Sequence, residues 1–180
     1  MKKNLFKEIK IPEGVEMNIE KNVLVVKGKE GEVKKKFDVT NLTFEKIDDK
    51  IRIGNKKSTK KEKKKMNTIE RHIKNMIKGV QKKFEYKLKI CFSHFPITVE
   101  IKGNEAIIKN FLGEKVPRKT RVLDGTEVKV NKDMIIVTSA NKELAGQTAA
   151  NFENITKISA RDRRIFQDGI FMTNKAGKEI

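Results

Sequence analysis

Tryptophan is missing from this 180-residue chain, tyrosine occurs once, and aromatic residues make up only 6% of it. Recognition of bases by stacking on an aromatic platform is therefore disfavoured, and the RNP1 signature of an RRM is absent as well. Cysteine is equally scarce. The lone Cys91 has no partner for an internal disulfide, which fits a reducing compartment. With only two histidines, His72 and His94, no metal-ligand cluster emerges. No Walker loop is present, and Gly28-Lys29-Glu30-Gly31 reads as a hairpin turn rather than a dinucleotide fingerprint. No apolar stretch approaches the roughly 18 residues that span a bilayer. The first residues, Met1-Lys2-Lys3-Asn4-Leu5, lack the apolar core of a signal peptide. Without such a signal, the N-x-S/T triplets at Asn41 and Asn154 are read as chance. No cofactor, small-molecule substrate or membrane partner is expected.

What the chain has in excess is positive charge. Its 42 Lys and Arg against 24 Asp and Glu give a formal net charge of +18. Self-repulsion of that size opposes compaction. A polyanion would relieve it, and nucleic acid is the commonest such partner. The excess is uneven. Residues 1–90 hold 27 basic and 13 acidic side chains, whereas residues 91–180 hold 15 and 11.

The chain also repeats itself. Val15-Glu16-Met17-Asn18-Ile19 alternates apolar and polar, and Ile97-Thr98-Val99-Glu100-Ile101 does the same 82 positions later. The same offset lays Val25-Val26-Lys27 on Ile107-Ile108-Lys109 and Gly31-Glu32 on Gly113-Glu114. The pattern predicts two copies of one small unit, residues 1–84 and 85–180. In copy one, strands are expected near 15–19, 23–28, 31–38, 42–46 and 50–53. A helix follows from about Thr59 to Lys78, with capping-box spacing at Thr59 and Glu62 and Gly79 as C-cap. Met66, Ile69, Ile73, Met76, Ile77 and Val80 recur on it at helical period. Phe84, Tyr86, Leu88 and Ile90 then alternate as a half-buried strand does. Copy two predicts strands near 97–101, 105–110, 112–120, 127–130 and 134–138, a helix from Asn141 to Thr156, and a last strand over 168–172. The simplest assembly is α+β, two tandem copies of a small antiparallel sheet packed with one helix.

Three basic clusters are candidate polyanion sites. Gly54 to Lys65 holds seven lysines and one acid: Lys56, Lys57, Lys60, Lys61, Lys63, Lys64 and Lys65. Several fall in the first helical turns, where the backbone is already positive, a conflict that a bound phosphate would turn to advantage. The bland alternative is a solvated lysine loop. The second cluster is Lys115, Arg118, Lys119 and Arg121 around Pro117, on a loop or edge strand. The alternative there is edge protection by charge. The third is Lys157, Arg161, Arg163 and Arg164 after the second helix, where cations also serve as helix-dipole partners. Weaker candidates have structural readings: His72 as a helix boundary residue, His94 as a junction residue beside Phe95-Pro96, and Asp48-Asp49 as a turn rather than a nuclease pair.

Several segments resemble one family. Asn75-Met76-Ile77-Lys78-Gly79-Val80 resembles the end of the first-domain helix of the ribosomal L-six family, called L-nine in eukaryotes. His94-Phe95-Pro96-Ile97 resembles its interdomain junction, Asn110-Phe111-Leu112-Gly113-Glu114-Lys115 its second-domain hairpin, and Arg164-Ile165-Phe166-Gln167-Asp168-Gly169-Ile170 its C-terminal signature in the eukaryotic form. Gln167 stands where the family usually has an apolar residue. The resemblance implies a duplicated fold in the cytosolic large ribosomal subunit, near the sarcin–ricin loop and the stalk base. Its partners would be large-subunit rRNA and neighbouring ribosomal proteins, and it would brace RNA rather than catalyse. The family's second-domain rRNA contacts carry onto Lys115, Arg118, Lys119, Arg121, Arg161, Arg163 and Arg164. Two other readings remain: a free RNA-binding regulator or chaperone, and, weakest, an RNA-acting enzyme using Asp48 or Asp49.

Overall fold

A computed structural model describes residues 3–47 and 49–180, with side chains from Asn4 onward. Asp48 lies outside the described residues. Its neighbour Asp49 is a turn residue whose carbonyl accepts from the Ile11 N–H at 2.8 Å. The chain divides into two compact units, Met1–Lys83 and Phe84–Ile180.

In the first unit, β2 (Glu16–Glu20), β3 (Val23–Gly28) and β4 (Gly31–Lys36) form an antiparallel meander in the order β2-β3-β4. Met17 faces Val26, and Val26 faces Val33, so one side of the ribbon carries a buried apolar row. A second sheet has the order β1-β6-β5, from β1 (Lys3–Lys10), β6 (Lys50–Ser58) and β5 (Thr43–Ile47). Helix α1 (Lys60–Gln81) closes this unit against β1, β3, β4 and β6. Met66, Ile69, Ile73, Met76, Ile77 and Val80 are its buried stripe, as their spacing predicts. At its N-terminus, Thr59 caps it and donates its N–H to the Glu62 carboxylate at 2.8 Å. Gly79 is not the C-cap. It is buried inside the helix, which runs on to Gln81 and ends at Lys82 in extended conformation. The small size of Gly28 lets β3 reach this end of α1, since a Cβ there would lie 2.9 Å from Val80.

The second unit repeats this plan. β8 (Thr98–Lys102), β9 (Glu105–Lys109) and β10 (Arg118–Arg121) form a meander in the order β10-β9-β8. The larger sheet has the order β11-β12-β7-β13-β14, from β11 (Glu127–Asn131), β12 (Met134–Ser139), β7 (Phe84–Cys91), β13 (Gly169–Lys175) and β14 (Lys178–Glu179). Helix α2 (Lys142–Ile155) packs on β7, β10, β12 and β13, with the Asn141 side chain accepting from the Glu143 N–H at 3.0 Å as its N-cap. Ala145, Thr148, Ala149 and Phe152 are its buried face. A Cβ on Gly146 would sit 3.2 Å from the Tyr86 hydroxyl, so the small residue there lets α2 approach β7 closely.

The sheets match copy for copy: β7-β12-β11 repeats β1-β6-β5, and β13-β14 is added beyond β7. Three expectations need correction. The strand β1 escapes the pattern because Leu5, Phe6 and Lys7 are all half-buried, so no alternation shows. The expected strand 112–120 is broken. Phe111–Gly113 is a 3-10 turn, in which Asn110 (φ 59°), Leu112 (φ 51°) and Gly113 (φ 76°) are left-handed, and pairing resumes only at Arg118. The last strand runs to Lys175 through a bulge between Met172 and Asn174, then turns into β14.

Candidate nucleic-acid interface

The lysine run straddles the junction of β6 and α1. Lys56 and Lys57 are exposed at the strand's end. The charge conflict at the helix start is softened by Glu62, whose carboxyl is held below the usual range by the Thr59 hydroxyl and N–H. The helix then sorts the lysines by face. Lys65 is tied to Asp38 at 2.7 Å, which drives the Asp38 carboxyl far below the usual range. Lys61 stands exposed to one side. Lys60, Lys63 and Lys64 fall with Asn67, Thr68 and Arg71 on a shallow groove of about 560 Å³ that continues to His72 and Asn75. At 3.6 residues per turn this stripe lies opposite the buried Met66, Ile69 and Ile73. His72 is half-buried, 3.2 Å from the Lys35 ammonium and tilted against Phe37, which agrees with a boundary role.

In the second cluster the residues differ sharply. Arg118 is an internal clamp. Its guanidinium donates to both oxygens of Glu114, at 2.8 and 2.5 Å, and to the Ile155 carbonyl at the end of α2, at 2.7 Å. It also lies 4.4 Å over the buried Phe111 ring, with its side chain 28% exposed. The cation that meets the α2 C-terminus is therefore Arg118 rather than one of the residues after the helix. Lys115 is exposed on the turn before β10, while Lys119 and Arg121 make loose pairs of 3.9 Å with Glu105 and Asp124.

The third cluster follows α2. Arg161 stacks 4.9 Å from the Phe166 ring, and its charge also reaches Glu114, after the dominant Arg118 hydrogen bond. The second and third clusters are thus neighbours in space. Arg164 pairs with Asp162 at 2.8 Å and holds that carboxyl low, yet its own side chain remains 90% exposed. Lys157 and Arg163 border a cleft of about 760 Å³ whose walls include Phe92, Phe166 and Phe171. Two hydrogen bonds, one of them fully buried, fix it. The Ser93 N–H donates to Asp168 at 2.8 Å, and the Ile170 N–H donates to the Thr156 hydroxyl at 3.0 Å. Gln167 is exposed and donates to the Arg164 carbonyl at 3.2 Å, so no apolar packing is lost at that position. His94 is exposed, with its ring 4.6 Å from that of Phe95.

Among the described residues no group of His, Cys, Asp and Glu is placed to hold a metal, and no helix is long and apolar enough to cross a membrane. Reading the sequence as a lysine run missed Arg71, Asn67 and Asn75. Their only signal is spacing, at three, four or seven residues from Lys60, Lys64 or one another.

Comparison with known proteins adds an independent line. Residues 11–83 and 95–169 each match the model of the family described as Ribosomal protein L6. The chain is 44% identical over 173 residues to the large ribosomal subunit protein uL6 of Methanococcus vannielii, an alignment covering 96% of this chain and 95% of that one. It is also 44% identical over 168 residues to the uL6 protein of Methanobrevibacter smithii, covering 93% and 94%.

Proposed function

Since this chain belongs to the ribosomal protein L6 family, whose members are structural rather than enzymatic parts of the large ribosomal subunit, we propose that it binds and braces large-subunit rRNA near the sarcin–ricin loop and the stalk base of the cytosolic ribosome. Neighbouring large-subunit proteins, the stalk base among them, complete its surroundings. The observation that carries this reading is the set of cations standing clear of both cores. Lys56, Lys57, Lys60, Lys61, Lys63 and Lys64 are exposed on the first unit. Lys115, Lys119, Arg121, Lys157, Arg161, Arg163 and Arg164 are exposed on the second. Phosphates are their natural ligands, since each contact releases condensed counterions. Arginine adds a two-toothed fit to phosphate oxygens. Arg118 and Lys65, already engaged by carboxylates, act by positioning their neighbours.

Sedimentation of a cell lysate through sucrose, at moderate and then high salt, tests this. The protein is expected to travel with large subunits and to survive the salt wash. A chain that stays near the top of the gradient overturns the reading and favours a free RNA-binding regulator or chaperone instead.

A further inference from the structure

We infer that the outward face of α1, from Lys60 to Asn75, docks the backbone of a double-stranded RNA segment, so that the first unit makes an RNA contact of its own. The inference rests on the rRNA-binding reading above and gives it a surface and a ligand geometry. The face is a stripe at helical spacing, about 22 Å long at 1.5 Å per residue. Its cations are Lys60, Lys63, Lys64 and Arg71, and no carboxylate lines the groove they share. Among the described residues none of the four side chains is engaged in an ion pair, in contrast to Lys65, the residue next to Lys64. Asn67 and Thr68 stand between them and Asn75 one turn beyond Arg71, neutral groups that both donate and accept.

This composition discriminates between partners. Protein interfaces are depleted in lysine and centred on aromatic or arginine anchors, whereas the groove sets three lysines against the single Arg71 and has no apolar or Phe, Tyr or Trp residue. Single-stranded RNA is gripped by stacking its bases on aromatic rings. The only ring here, His72, is half-buried and tilted against Phe37. A duplex asks for neither. It presents rows of phosphates to cations and 2′-hydroxyls to amides across its shallow minor groove. Cations one and two helical turns apart, with one amide between them and another just beyond, meet both demands.

The test is crosslinking from this face in assembled subunits. In a Cys91→Ser background, Asn67→Cys and Asn75→Cys proteins are each labelled with a photoactivatable aryl azide, incorporated into large subunits and irradiated. Both sites are expected to crosslink to rRNA, at positions that lie in base-paired segments. Crosslinks confined to protein, to unpaired nucleotides, or absent from both sites while the labelled chain sediments with large subunits overturn this inference and leave the rRNA-binding reading standing. A labelled and folded chain that does not enter subunits overturns both. A second measurement uses the full chain with Asn67→Asp, Arg71→Glu and Asn75→Asp, which spares every lysine of the 56–65 run. Its affinity for a plain RNA duplex should fall at least tenfold, with the slope of log affinity against log salt shallower by about 1. An unchanged affinity and slope overturn the inference.

Discussion

Replacing Arg118 with lysine keeps the charge and removes the fork. Lysine cannot hold both Glu114 oxygens and the Ile155 carbonyl at once, and it loses the flat stack on Phe111. Thermal or urea unfolding of Arg118→Lys should show a loss of about 1–2 kcal/mol, with the salt dependence of RNA binding unchanged. Glu70 makes the corresponding case for a carboxylate. It joins α1 to β1 through Lys7 and also meets Lys74 at 2.6 Å, and these partners hold its pKa down to about 2. A carboxylate depressed in the folded state stabilises the fold above its unfolded pKa, and the gain is lost as pH falls through the folded one. Glu70→Gln should therefore cost about 1 kcal/mol at neutral pH, a value kept small by solvent screening. The difference from the native chain should shrink as pH falls towards the folded pKa and vanish in unfolding curves below about pH 2. At this scale the sequence was readable for type and not for engagement. Arg118 and Arg163 look alike in a basic run, and only the chain's return at Glu114 and Ile155 separates a clamp from an open cation.

Strong period, at the level of elements, was legible and weak period was not. α1 shows its core stripe and its capping box plainly, because burial on one side forces the repeat of 3.6. β1 is hidden because Leu5, Phe6 and Lys7 are half-buried in succession, and the broken segment after Phe111 is hidden because left-handed Leu112 is not what leucine's chemistry suggests. The glycine pattern was read for turns, yet Gly54 serves contact: a Cβ there would run into the Phe6 ring of β1. Gly54→Ala should thus destabilise the first unit by about 1–3 kcal/mol through overpacking. Hydrogen exchange should localise that loss to β1 and β6. At the other end of the chain, Thr156→Val removes the hydroxyl that accepts from the Ile170 N–H and leaves a buried donor unsatisfied. A loss of about 1–3 kcal/mol is expected, with early exchange of the β13 amides.

For the whole molecule the decisive quantity is charge, and it was the most legible of all. A net +18 on a chain of 180 residues makes association with RNA steeply salt-dependent. Reversing Arg163 and Arg164 together to glutamate should impair incorporation into large subunits, read as a smaller fraction of the chain in the subunit peak of a gradient. Normal incorporation of this double variant would remove the third cluster from the interface. The duplication was legible because both copies keep their apolar alternation at one offset. Among the described residues the hairpin β13-β14 has no counterpart in the first copy and so had no repeat to announce it. That hairpin also sets an order in time. Each strand of the first unit finds its neighbours within residues 3–58, whereas β7 must pair with β13, Cys91 meeting Gly169. At about 5–20 residues per second, that partner emerges from synthesis roughly 4–16 s after β7 itself. Through that interval one flank of β7 is open to any passing strand, and the nascent second unit is the part of the chain that most needs a chaperone's cover.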